Sequence, residues 1–211
     1  MRTVVFNGWA AGPEAWRLCD FERDCLFDYV EQLDGLPARM TADFDAMLLV
    51  GFSMGGASAL AALLAAPDKV KGLVLVSATA RMMEDRAAGW AGMSARRLEA
   101  LSFGTRLVYR DDPSPLYAPA NLARGLDFLV KTDLREPLRE LVARTPCLRE
   151  MPVAIFQSER DGIVRPANAD FLRALFPQAE VTLVPGSEHI LPIAVPELID
   201  ETVERFQRQL A

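Results

Sequence analysis

Ser53 lies within Gly51-Phe52-Ser53-Met54-Gly55-Gly56, after the apolar run 46–50 and ahead of the Ala/Leu-rich run 57–66. Strand, sharp turn and helix in that order would hold a serine up at the carboxyl edge of a sheet, with glycines where a Cβ would obstruct the turn. A serine hydroxyl is a weak nucleophile until a base takes its proton. The chain has one histidine, His189, in Pro185-Gly186-Ser187-Glu188-His189-Ile190-Leu191-Pro192, in the loop after the last expected strand, 180–184. Imidazole can accept and return a proton near neutral pH. Asp161 follows the apolar run 153–157 in Ser158-Glu159-Arg160-Asp161-Gly162. A carboxylate on the far imidazole nitrogen would fix its tautomer and stabilise the imidazolium. Glu159 is a weaker substitute for that acid, and Glu188 is too close to His189 along the chain to face it well. Read together, the three residues suit acyl transfer through a serine. Read singly, they are an N-cap serine, a loop histidine and a turn aspartate.

An acyl-transfer site also needs donors for the developing oxyanion. The Met54 backbone N–H stands at the head of a helix, whose dipole favours negative charge. The second donor should come from the loop after the first strand, where the Trp9 N–H is the candidate. The Trp9 indole could form an apolar wall beside the acyl group or simply fill the core.

These residues require strands that end level with one another. Residues 2–6 read as a buried strand ending at the turn pair Asn7-Gly8. Residues 12–24 read as a first helix with Pro13 in its first turn and Trp16 reaching the core. Residues 25–30 read as a second strand, and 31–45, with turn signals at Asp34-Gly35 and Leu36-Pro37, have room only for a short helix. Residues 73–77 form a continuous apolar run, the pattern of a strand covered on both faces. From 80 to about 144 helix formers replace the strand signal, as expected of a helical insert over the sheet edge. Strand 152–157, helix 167–176, strand 180–184 and helix 195–210 complete the alternation. The pattern predicts an α/β fold with a doubly wound, mostly parallel sheet. One domain over 1–211 is expected, with 80–145 as a lid insert.

Composition excludes several classes. The chain has 211 residues, 51% of them hydrophobic and 25% charged, with no apolar run near the roughly 20 residues of a membrane span. A net charge of −6 argues against general phosphate-backbone binding. Residues 80–145 are the relatively basic part, with 11 Lys or Arg against 9 Asp or Glu. Three cysteines without ligand spacing, and an N-terminus without an export pattern, lead to the expectation of a cytoplasmic protein with no metal site. No cofactor is expected, because Gly51 to Gly56 fits neither the dinucleotide fingerprint nor the phosphate loop. Nucleic acid and membrane partners are not expected.

The order Ser53, Asp161, His189 is that of an α/β-hydrolase, and the chain resembles that superfamily over nearly its whole length. Phe6-Asn7-Gly8-Trp9, the Ser53 elbow, the segment from Gly125 to Leu138 and Asp161-Gly162-Ile163-Val164-Arg165-Pro166 resemble segments of the biotin-pathway esterases that demethylate pimeloyl-[acyl-carrier protein] methyl ester. The resemblance implies Ser53 as nucleophile, His189 as general base and acid, Asp161 as its orienter, and Trp9 with Met54 as oxyanion donors. It also implies an acyl-carrier protein partner, bound in that family through lid arginines. Here Arg81, Arg86, Arg96, Arg97, Arg106, Arg110 and Arg124 are candidates. Asn7-Gly8 stands where many relatives have His-Gly, and the leading hairpin, the 31–45 segment and the lid are reduced, so substrate choice is less tightly implied than chemistry. A thioesterase, a general small-ester hydrolase and a ligand-binding member with little turnover are the alternative expectations.

Overall fold

Alternation along the strands decides the layering. In the computed structural model, which describes residues 1–34, 43–81, 116 and 118–211, β1 (Arg2–Phe6), β2 (Cys25–Phe27), β3 (Met47–Phe52), β4 (Val70–Val76), β5 (Val153–Ser158) and β6 (Glu180–Val184) form one sheet in the order β2-β1-β3-β4-β5-β6. Every pairing in it is parallel. Val4, Phe6, Leu73, Leu75, Val153 and Ile155 point into one apolar layer. Their neighbours Val5, Val74, Val76, Ala154 and Phe156 point into the other. Strands buried on both faces need helices on both sides, and connections between parallel strands supply them.

The first layer is covered by α2 (Met54–Ala65), α4 (Arg135–Arg144) and α5 (Ala167–Leu175), through side chains such as Leu60, Leu63, Leu138 and Leu172. The second is covered by α7 (Pro196–Leu210) and by Trp16, with Ile199, Val203 and Phe206 facing the strands. Helix α2 is buried on nearly every side, as a uniformly apolar helix must be. A third cluster lies above the carboxyl edge. Leu122, Leu126 and Leu129 of α3 (Pro119–Lys131) pack there on Tyr29, Ala10, Met54 and Val164. Short helices α1 (Tyr29–Leu33) and α6 (Leu191–Ala194) and a 3-10 turn at Pro146–Arg149 lie between these.

Two expected elements differ. Residues 12–24 do not form one helix; only the 3-10 turn Pro13–Trp16 is helical. Trp16 is wholly buried, and beyond it the chain is held by tertiary partners: the Asp200 carboxylate of α7 accepts the N–H groups of Asp20 and Phe21 at 2.9 and 3.4 Å. Asp24 then donates its N–H to Thr3 O at 2.9 Å and accepts from Arg2 at 2.5 Å. The second strand stops at Phe27 because Asp28 caps α1. Its side chain accepts from the Val30 and Glu31 N–H groups, and Glu31 returns a bond to the Asp28 N–H, a capping box. The expected turn at 35–37 and much of the insert, 82–115, lie outside the described residues. Where the insert is described, in α3 and α4, it is helical. No described helix is long and apolar enough to cross a membrane.

Candidate active site

Ser53 sits between β3 and α2 with φ 54° and ψ −118°, a conformation that costs a non-glycine residue about 1–3 kcal/mol. The surroundings hold it there. Its N–H donates to Val76 O at 2.9 Å, and its carbonyl accepts the Gly56 N–H at 2.9 Å. A Cβ on Gly55 would come within 2.2 Å of Phe6 O, so the head of α2 packs directly on the end of β1. Ser53 is 5% exposed.

Asp161 and His189 come from the loops after β5 and β6. The Asp161 carboxylate is buried; Oδ1 accepts the N–H groups of Ile163 and Val164 at 2.7 and 3.0 Å, and Oδ2 faces His189 Nδ1 at 2.8 Å. His189 Nε2 lies 3.0 Å from Ser53 Oγ. With Asp161 ionised, Nδ1 carries the imidazole proton and Nε2 is left to accept the serine hydroxyl. The imidazole also packs against Phe52, their ring centroids 5.3 Å apart. Glu159 and Glu188 are both exposed, so of the carboxylates considered from the sequence it is Asp161 that meets the imidazole. The arrangement can draw a proton from Ser53 Oγ and return it to a leaving group.

Met54 is the first residue of α2, where an N–H has no helical acceptor four residues back. Trp9 follows β1 in the adjacent loop. A Cβ on Gly8 would stand 3.2 Å from the Ser53 Cβ, so this loop runs beside the serine. The Trp9 indole N–H donates to Leu122 O of α3 at 3.0 Å. Its ring lies so close to the helix that a Cβ on Gly125 would meet Cδ1 at 2.4 Å and Nε1 at 2.8 Å. The sequence offered a wall or core filler for this ring; its bond to α3 depends on how the insert folds back and has no local signal.

Of the seven candidate carrier-binding arginines, Arg81 and Arg124 lie among the described residues. Arg81 faces Asp133 at 3.6 Å. Asp133 also binds Arg135, whose hydrogen bond is the main reason that its carboxyl is held below the usual range. Arg124 of α3 pairs with Asp34 at 2.6 Å. Arg86, Arg96, Arg97, Arg106 and Arg110 lie outside the described residues. Among the described residues no group of three or more His, Cys, Asp or Glu side chains could hold a metal ion.

Residues 7–202 match the model of the Alpha/beta hydrolase family. The chain belongs to that family. Among its relatives are proteins named pimeloyl-[acyl-carrier protein] methyl ester esterase. The one from Nitrosomonas europaea is 26% identical over 92% of this chain and 90% of its own length. The one from Yersinia enterocolitica is 26% identical over 98% of this chain and 93% of its own length. Solved structures share the α/β-hydrolase fold, including a bromoperoxidase from Bacillus anthracis (TM-score 0.71, 17% identity, 98% of this chain and 91% of that one). An enol-lactonase from Burkholderia xenovorans has TM-score 0.69 and 17% identity, covering 98% of this chain and 91% of its own.

Proposed function

We propose that the protein is a serine carboxylesterase that hydrolyses an acyl methyl ester, with pimeloyl-[acyl-carrier protein] methyl ester as its substrate. The observation that carries the chemistry is the continuous contact of Ser53 Oγ with His189 Nε2 at 3.0 Å and of His189 Nδ1 with Asp161 at 2.8 Å. The choice of ester is supported by the names of the relatives. Ser53 Oγ attacks the ester carbonyl as His189 Nε2 takes its proton, and the oxyanion is received by the N–H groups of Trp9 and Met54. Collapse of the tetrahedral intermediate expels methoxide, which leaves as methanol with the proton from His189. Water, deprotonated by the same imidazole, then cleaves the acyl-serine and releases the free carboxylate. Asp161 stabilises the imidazolium in both halves.

The acyl chain takes the apolar surface that α3 shares with Trp9 and Met54. Residues 80–145 act as a lid, and its arginines, Arg81 and Arg124 among them, receive the acidic carrier. The test compares carrier-bound methyl ester with short nitrophenyl esters, using Ser53→Ala as control. Preference for the carrier-bound ester that disappears in the variant is expected. Turnover of the short esters alone would overturn the substrate assignment and leave a general esterase.

A further inference from the structure

We propose that Ser77 and Ser158 are positioning residues that clamp the histidine loop, their hydroxyls holding the two carbonyls of Glu188 and His189 so that the imidazole meets Ser53. The inference rests on the reading of His189 as general base.

The register of the sheet brings these serines to the site. Val76, the last residue of β4, pairs with Phe52 on one side and Phe156 on the other, so Ser53 and Ser77 emerge level at the carboxyl edge. Ser158, at the end of β5, pairs with Val184 of β6, from which the histidine loop departs. Ser77 Oγ–H donates to the His189 carbonyl at 2.8 Å, and Ser158 Oγ–H donates to the Glu188 carbonyl. The His189 carbonyl also accepts the Leu191 N–H at 3.0 Å, which fills both of its lone pairs. The loop between β6 and α6 has no strand or helix of its own; the Arg160 N–H holds its start at Gly186 O, 2.9 Å away, and the two serine hydroxyls hold it at Glu188 and His189, next to the imidazole.

Ser77 carries a second mark. Its φ is 46°, in the left-handed region that favours glycine, and it is wholly buried. A serine kept where glycine would be more comfortable points to a use for its side chain, and that side chain's bond goes to the residue carrying the imidazole. The contacts of His189 at 3.0 and 2.8 Å leave little slack, and a displacement of about 1 Å can cost about 10²-fold in rate.

The experiment uses Ser77→Ala, Ser77→Gly and Ser158→Ala in the full chain, with kcat and KM on a short nitrophenyl ester and proton NMR of the imidazole. His189 is the sole histidine, so every imidazole resonance belongs to it. Each variant should lose about 10-fold in kcat with KM within about twofold, and the downfield Nδ1–H resonance should shift or broaden. Glycine suits the backbone at position 77, so a loss in Ser77→Gly reports the hydroxyl and not strain. Wild-type kcat and an unmoved resonance in both Ser77 variants would overturn the proposal, as would impairment of Ser77→Ala alone. If the wild-type protein hydrolysed no ester, the reading of His189 would fail, while the resonance would still judge the clamp.

Discussion

The Asp161 carboxylate answers three donors at once, the N–H groups of Ile163 and Val164 and the imidazole Nδ1. That arrangement is built before any substrate arrives, which is what electrostatic preorganisation requires. Asp161→Asn keeps the size but offers one acceptor oxygen for these donors, and its NH2 group would press the imidazole toward the wrong tautomer. We expect kcat to fall by about 10⁴-fold, as replacement of the carboxylate by an amide does in other Ser-His-Asp triads. Steady-state kinetics beside a thermal melt check this: a fall in kcat with the fold retained agrees, and wild-type kcat contradicts it. That Ser53, Asp161 and His189 would come together at one sheet edge was readable in the sequence, because each follows a strand and the three have complementary chemistry. The hydroxyls of Ser77 and Ser158 were not, because their meeting with the histidine loop depends on strand register. Both do stand at the ends of buried strands, which is a weak signal that was available.

Helix α3 is fastened to the loop after β1 through Trp9. Gly125 is what permits the approach, since any Cβ there would stand 2.4 Å from the indole Cδ1. Gly125→Ala must therefore displace either the helix or the indole, at a cost of about 1–3 kcal/mol. Its melting temperature should drop, and kcat should drop with it because the Trp9 backbone belongs to the same loop. A variant with wild-type melting and kcat would show that the helix and the loop are not coupled. The elements themselves were largely readable, since the strands carry continuous apolar runs and α2, α5 and α7 carry helix formers. The two departures have specific physical causes. A helix over 12–24 ignored the pull of Asp200 and Arg2 on Asp20, Phe21 and Asp24, which are long-range partners. The early end of β2 was readable, because Asp28 and Glu31 have the spacing of a capping box.

At the scale of the molecule, β1 leads outward to β2 while β3 leads the other way to β4, so the sheet reverses direction between β1 and β3. Ligands in open α/β sheets bind at the carboxyl side of such a switch point, and Trp9 and Ser53 follow these two strands. Packing around the sheet leaves the cysteines unequally exposed. Burial, with Asp200 nearby, pushes the Cys19 thiol up to about 12, and its Sγ lies 3.5 Å from Pro192 O. Cys147 is exposed. Since the thiolate is the reactive form, a disulfide reagent at neutral pH should modify Cys147 promptly and Cys19 only on unfolding. Peptide mapping after timed labelling checks this, and rapid native labelling of Cys19 would contradict the packing under α6.

The central claim is that Ser53 forms the acyl-enzyme. The most direct measurement mixes protein with a nitrophenyl ester on the millisecond scale, quenches in acid and maps the acylated residue by mass spectrometry, for the wild type and Ser53→Ala. The account predicts acylation of the peptide bearing Ser53, and neither adduct nor turnover above background in the variant. An adduct on another residue, or wild-type turnover by Ser53→Ala, would contradict it.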